Sequence, residues 1–311
     1  MGNFCCYFMK LKRRKNRRKS PKKNFLPLII FALLILLLII TLLSFVHPSK
    51  SITGKLVSAK VLGNIQAIPP PTSTPTPTAT PTPTPVPLVG YCLNVPVLMY
   101  HHIQPNAQAQ SLGQKSLSVD NGQFDLQMGY LASSGYSFVS AQQLVDALMN
   151  HSGLPGKSIV VMADDGYGDF YTYAYPVLQK YHITANLAVI TGLVGGSDYV
   201  TWGQIEEMSH SGLVQMVNHT WSHYSINHGP LDKINFEIST AKQQLHDHTG
   251  QNIDTFVYPF GAINSLAISA LQGQGVKGAF SEIPGHWQCD SFIMALHRTR
   301  IGNTSLSYYG F

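Results

Sequence analysis

No aspartate or glutamate occurs before Asp120 in this 311-residue chain. Arginine is almost as confined: outside the N-terminal block only Arg298 and Arg300 remain. The formal net charge of +6 is therefore not an average property of the chain. Ten Lys/Arg lie between Lys10 and Lys23, whereas the chain after residue 87 holds 8 Lys/Arg against 15 Asp/Glu, a balance of −7. A mildly acidic main body argues against nucleic acid as the principal partner, because binding to the phosphate backbone needs cations on the folded surface. Cysteine is also scarce. Cys5 and Cys6 sit near the N-terminus, and only Cys92 and Cys289 remain for a disulfide elsewhere, which the spacing alone neither requires nor forbids.

The basic block has its explanation next door. Residues 25–46 run from Phe25 to Val46 without a charge, over about 22 residues, long enough to cross a bilayer. Flanking Lys/Arg predict a cytoplasmic N-terminus, with the rest of the chain outside. A cleaved signal peptide fits less well, since the apolar run exceeds an ordinary h-region and no small-x-small site follows closely. Cys5 and Cys6 then lie at the cytoplasmic membrane face, as free thiols or acylation sites. The organisation expected is a basic tail over 1–24, a transmembrane anchor over 25–46 and an extracytoplasmic spacer over 47–90. One domain then fills 91–311.

Within the spacer, residues 69–87 read PPPTSTPTPTATPTPTPVP. Proline lacks the backbone N–H and restricts its predecessor, so this segment excludes helix and central strand and predicts an extended, semi-rigid rod. Its threonines are O-glycosylation candidates by composition. Such a rod would hold a domain away from the membrane.

From Tyr91 the pattern is globular. Apolar runs of strand length (95–100, 159–163, 185–191, 213–217, 255–258) alternate with helix-period segments (123–133, 141–148, 171–181, 202–208, 233–248, 265–271). Ser140 and Thr201 are helix N-cap candidates, and Pro176 interrupts the third helix. Strand–helix alternation predicts an α/β fold with a parallel sheet, specifically a distorted (β/α) barrel of about seven or eight strands preceded by a single transmembrane helix.

The polar clusters His101-His102, Asp164-Asp165, Asn218-His219 and Tyr258-Pro259-Phe260-Gly261 each follow the carboxyl end of a predicted strand. In a parallel barrel those ends share one face, so the clusters should converge. Asp164 and Asp165 are neighbours, and on an extended backbone they point in different directions. His219 and His223 are four apart, which on a helical turn would place both on one face. One carboxylate plus two imidazoles supplies three metal ligands and leaves a coordination position for water. The second carboxylate is free to take a proton.

These residues resemble a known family. The region from Val95 to about Asn303 is similar to polysaccharide deacetylases of the NodB-homology type (carbohydrate esterase family four). Met162-Ala163-Asp164-Asp165-Gly166 stands where the family has Thr-Phe-Asp-Asp-Gly, and His219-Thr220-Trp221-Ser222-His223 matches its His-Ser/Thr-x-x-His. Tyr258-Pro259-Phe260-Gly261 resembles its third motif, and the opening Val95-to-His102 segment is similar to the poly-N-acetylglucosamine deacetylase branch. The resemblance implies Asp165, His219 and His223 as ligands of a divalent metal, commonly zinc, and Asp164 as general base. It further implies the Phe260 backbone N–H as an oxyanion donor and an N-acetylated glycan as substrate.

The departures are specific. Val257 stands where the family often has a base-orienting Arg, which leaves Arg298 and Arg300 as the candidate cations. Met294-Ala295-Leu296-His297 offers His297 as general acid. The same stretch also reads as the Leu-x-Arg segment of the poly-N-acetylglucosamine branch, which would make Arg298 the meaningful residue and His101 the alternative acid. Ala163 replaces an aromatic, and Asn186-Leu187-Ala188 replaces Thr-Phe-Phe, changes expected to act on packing under the site. Tyr258, Trp221 and Phe260 are the aromatics expected to meet sugar. The sequence thus points to a membrane-anchored deacetylase acting on an envelope polymer of N-acetylglucosamine. A non-catalytic carbohydrate-binding module and a hydrolase of another amide or O-acetyl ester remain alternatives.

Overall fold

A computed structural model describes residues 88–311. The basic tail, the anchor at 25–46 and the Pro/Thr-rich rod lie outside the described residues. Among the described residues no helix is long and apolar enough to cross a membrane.

Among the described residues are twelve short strands, β1 (Cys92–Asn94), β2 (Val97–Tyr100), β3 (His102–Ile103), β4 (Ser118–Val119), β5 (Ser137–Phe138), β6 (Ser158–Ala163), β7 (Ala185–Val189), β8 (Val214–Asn218), β9 (Thr255–Val257), β10 (Gly278–Phe280), β11 (Trp287–Cys289) and β12 (Thr299–Arg300). The main sheet runs β10-β9-β8-β7-β6-β2-β12, and β5 adds to β6. Every pairing in it is parallel. Its central strands β2, β6 and β7 are buried at every position. That explains their unbroken apolar runs, since a parallel strand is covered on both faces. The seven or eight strands expected are present, but their order is an open path ending at β10 and β12, so the sheet does not close by strand pairing. The chain between these two strands seals part of the gap through backbone bonds, Leu296 N to Ala279 O (2.8 Å) and Arg298 N to Ile283 O (3.0 Å).

The helices used below are α1 (Asn106–Ser111), α2 (Asn121–Ser133), α3 (Ala141–Met149), α4 (Tyr175–Tyr181), α5 (Trp202–His210), α6 (Leu231–Thr249) and α7 (Ser265–Gly273). Ser140 and Thr201 make full capping boxes with Gln143 and Gln204, each worth roughly 1 kcal/mol. Pro176 falls in the first turn of α4, where its missing N–H costs nothing, and a wide turn at Phe170–Ala174 precedes it. One sheet face, with Leu98, Val161, Leu187 and Val189, packs on Phe124 and Met128 of α2, Leu178 of α4 and Met208 of α5. The other, with Val97, Val160, Met162, Ala188 and Val217, packs on Leu144, Val145 and Leu148 of α3. α6 and α7 form a third cluster around Ile234, Ile238, Phe256 and Leu271.

Asn186, one of the departures from the family pattern, is fully buried. Its side chain donates to Val161 O (2.9 Å) and accepts from Ala141 N (2.8 Å), so it ties β7 to β6 and to the start of α3. Cys92 and Cys289 form a disulfide that joins β1 to β11, where they are direct register partners.

Candidate active site

Because the main sheet is parallel, β2, β6, β8 and β9 deliver His101, Asp164, His219 and Tyr258 to the same edge. Asp164 continues the ladder, its N–H donating to Tyr100 O at 3.0 Å. Asp165 and Gly166 then turn the chain with φ of 74° and 75°. A left-handed Asp is locally disfavoured, by about 1 kcal/mol or more, and persists only where the surroundings hold it. The turn separates the two carboxylates. Asp164, 2% exposed, accepts from Arg298 Nη1 at 2.7 Å. Asp165 Oδ1 lies 3.2 Å from His219 Nε2 and 3.4 Å from His223 Nε2.

The histidine pair does not sit on a helical turn. Residues 219–223 form a loop with positive φ at Thr220 (66°) and His223 (60°), and it is this double reversal that brings both rings to one point. The loop is held from outside. Glu237 of α6 is wholly buried and accepts from Ser222 N (2.7 Å), Ser222 Oγ (2.6 Å) and Lys233 Nζ (2.6 Å). Its backbone carbonyl takes Trp221 N at 3.1 Å. His219 Nδ1 lies 2.8 Å from Val257 O, a contact that requires the proton on Nδ1 and turns Nε2 toward Asp165.

The Asp165, His219 and His223 donor atoms all lie within 4.8 Å of one another. Two ligands of a tetrahedral ion with bonds of about 2.0–2.1 Å stand roughly 3.3–3.4 Å apart, and the Asp165–His spacings of 3.2 and 3.4 Å match that figure. A carboxylate with two imidazoles is a donor set for zinc and its neighbours, and three ligands leave a position open. The charge state agrees. Burial, and after it His219, pushes His223 down to about 4, leaving a neutral ring. Burial alone would raise Asp165, but His219, His101 and His223 hold it well below the usual carboxylate range. Burial pulls His219 down, yet the bond to Asp165 and the charges of both aspartates outweigh it and set it above the ordinary value. The site favours positive charge at this point.

A cavity of about 340 Å³ opens over these groups. Of the expected residues it gathers His101, Asp164, Asp165, His219, His223, Tyr258, Phe260 and Arg300, and it adds Leu117, Tyr167 and Glu282. Phe260, at φ 59° and 67% exposed, stands at the mouth with its ring 4.4 Å from that of His223. Tyr258 is buried, and its hydroxyl donates to Met294 O at 2.8 Å. His101 lies below the usual imidazole value because burial outweighs the pull of Asp164 and Asp165, with Arg298 and Arg300 adding to the depression.

His297 and Trp221 are placed elsewhere. On extended chain, neighbours point to opposite sides. Arg298 turns inward, to Asp164 and to Ser281 O (2.7 Å), while His297 turns outward and stacks on Phe292 at 4.6 Å. Trp221 packs edge-on against Phe236 with Lys233 Nζ 5.6 Å above its ring, and it does not line the cavity. Arg300 is exposed and donates to Ser116 O at 2.9 Å, so Arg298 alone of the two arginines pairs with Asp164.

Three residues were missed from sequence. Glu282 lines the cavity and follows no motif, and Tyr167, also in its wall, directly follows Asp164-Asp165-Gly166 but was given no role. Tyr167 stacks on His102 at 3.6 Å, and His102 Nδ1 is bonded to Asp169 at 2.6 Å. Glu237 did leave a signal, an acid set in the apolar stripe Ile234, Ile238, Ala241, Leu245 of α6.

Residues 151–279 match the family model described as Polysaccharide deacetylase, a span that holds Asp164, Asp165, His219, His223 and Phe260 but neither His101 nor Arg298. YxkH of Bacillus subtilis (strain 168), a protein named for the same family, is 28% identical over 67% of this chain and 71% of its own. The Poly-beta-1,6-N-acetyl-D-glucosamine N-deacetylase of Escherichia coli (strain K12) is 27% identical over 57% of this chain, which spans only 32% of that relative. Among solved structures, the Streptococcus pyogenes deacetylase PplD in complex with acetate superposes with a TM-score of 0.65. It is 28% identical and covers 70% of this chain and 96% of its own.

Proposed function

We propose that this chain, which carries a polysaccharide deacetylase domain, hydrolyses N-acetyl groups on an N-acetylglucosamine-containing polysaccharide of the cell envelope with the help of a divalent metal. The observation that carries the reading is the pairing of a buried carboxylate, Asp164, with the three-donor cluster Asp165, His219 and His223 in one cavity.

A divalent ion held by Asp165, His219 and His223 supplies a Lewis acid toward the acetamide carbonyl and the attacking water. The protein's own groups do the rest. Arg298 keeps Asp164 ionised, and the carboxylate takes a proton from the attacking water as its oxygen bonds to the carbonyl carbon. The carbon–nitrogen bond then breaks, and His101 hands a proton to the departing nitrogen. Burial depresses the His101 pKa, so its protonated ring is a stronger acid and a scarcer one at neutral pH. Acetate and the free amino sugar result. The Phe260 backbone N–H at the mouth supports the developing oxyanion, and Tyr258 walls the pocket.

The named substrate of the Escherichia coli relative supports N-acetylglucosamine polymers as the substrate class. The uncharged stretch at 25–46 and the basic block before it support attachment to the membrane with this domain outside.

The test is acetate release from N-acetylglucosamine oligomers by the 311-residue chain, with added zinc, with a chelator, and beside Asp164→Asn. Metal-dependent release that disappears in Asp164→Asn supports the reading. Stoichiometric metal without release from any acetylated glycan overturns it in favour of a binding module.

A further inference from the structure

Eight Lys and Arg side chains fall among the described residues. Five pair with carboxylates: Lys180 with Asp125, Lys233 with Glu237, Lys242 and Lys277 with Asp254, and Arg298 with Asp164. Lys157 donates to the Ser134 carbonyl. Lys115, Lys157 and Arg300 are exposed and without a carboxylate partner among the described residues, and of these Lys115 and Arg300 lie together. No acid precedes Asp120, so the rest of the chain cannot supply one.

These two cations do not scatter. Lys115 opens a short turn ahead of β4, Arg300 ends β12, and the bond from Arg300 Nη2 to Ser116 O holds the two segments together. Both line one cavity of about 390 Å³ whose walls contain no Asp or Glu. That cavity adjoins the catalytic one, since His101, Leu117 and Arg300 line both. The catalytic cavity has acidic walls, Asp164, Asp165 and Glu282. The sign of the charge therefore reverses across Leu117 and Arg300, on a domain whose overall balance is negative.

We propose that the second cavity is a substrate subsite for an anionic substituent, a carboxylate or a phosphate, on the sugar next to the one being deacetylated. A neutral polymer would meet these two cations only as hydrogen-bond donors, whereas an anion would also gain their charge. An anion meets a guanidinium already anchored on one side and an exposed ammonium on the other, donors suited to carboxylate and phosphate oxygens. The inference rests on the deacetylase reading for the location of the reacting sugar, and it names the substrate class more narrowly.

The experiment uses the full 311-residue chain and three matched N-acetylglucosamine tetramers: neutral, O-carboxymethylated and phosphorylated. Binding is measured by calorimetry and acetate release by kcat/KM, at low salt and at about 0.5 M, where screening is strong. The expected result is a preference for an anionic tetramer of about five- to tenfold, the size of one or two partly exposed ion pairs, lost at high salt. Lys115→Gln and Arg300→Gln should each reduce that ratio, and Lys115→Arg should retain it. Preference for one anion over the other assigns carboxylate or phosphate. Equal binding of all three tetramers at low salt, or a preference untouched by both Gln variants, overturns the subsite. Anion-selective binding without acetate release keeps the subsite and removes the deacetylase reading, whereas release without anion preference does the reverse.

Discussion

Arg298 Nη1 donates to Asp164 Oδ1 across 2.7 Å, with both side chains buried and the two residues 134 positions apart in the chain. The family resemblance placed a base-orienting arginine at the position held here by Val257. The fold supplies the cation instead from the stretch leading into β12, which lies beside β2, itself the neighbour of β6.

Removing one partner of a buried ion pair strands the other charge, at a cost of about 3–5 kcal/mol. Arg298→Ala should therefore lower the urea midpoint and cut acetate release by roughly 10²–10⁴, as the unpaired base gives up its charge. Arg298→Lys should lose less on both counts. Unchanged turnover in Arg298→Ala would remove Asp164 from the role of base.

The two acid candidates separate cleanly by position. His101→Asn should reduce kcat by about a hundredfold or more, the usual worth of a positioned proton donor, with KM little changed. His297→Asn should stay within about threefold of the parent, because its ring faces Phe292 rather than the cavity. Steady-state kinetics on the two variants decide between them, and the reverse order of losses would restore His297 as acid.

Glu237, which anchors the loop carrying His223 through Ser222, offers a pH-dependent test. Burial would raise its carboxyl, but Lys233 and both Ser222 donors hold it below the ordinary value. A carboxyl depressed in the folded state stabilises while ionised. Its contribution is full above the unfolded value of about 4.3 and fades as pH falls through the lower folded value. At pH 7, Glu237→Gln should lose about 1–3 kcal/mol by chemical denaturation and bind divalent metal more weakly, since the His loop loses its anchor. Between pH 5 and about pH 3 the parent should lose stability more steeply than the variant. Parallel slopes would show that this carboxyl is not linked to folding.

The disulfide closes a loop of 197 positions, tying the first described strand to the last quarter of the domain. Reduction, or Cys92→Ser with Cys289→Ser, should cost about 2–5 kcal/mol in a melting experiment. Metal content should not change, because neither cysteine lines the catalytic cavity. A melting temperature indifferent to reductant would argue that the bond does not form in the protein as isolated.

Much of the fold was legible. The apolar runs at 159–163 and 185–191 became the buried strands β6 and β7, and Ser140 and Thr201 capped the helices they were expected to cap. The short strands β3, β4, β5, β10, β11 and β12 were not legible, because two or three residues carry no periodicity. The site's members were readable from their place after strand ends, but not the conformation that joins them. His219 and His223 looked like a helical pair and converge through a loop with two left-handed residues.

By itself the sequence determined the alternation of elements, the buried strands, and the arrival of Asp164, Asp165, His101, His219 and Phe260 at one edge. Burial pattern and strand polarity are local properties, written in the spacing of apolar side chains. Tertiary structure alone decided that Arg298 rather than Arg300 meets Asp164, that His297 faces away, that Glu237 clamps the histidine loop, and that Cys92 finds Cys289. Each of these joins distant segments or holds a residue in a backbone conformation its own chemistry disfavours. Only the packing of the whole domain supplies the energy for that.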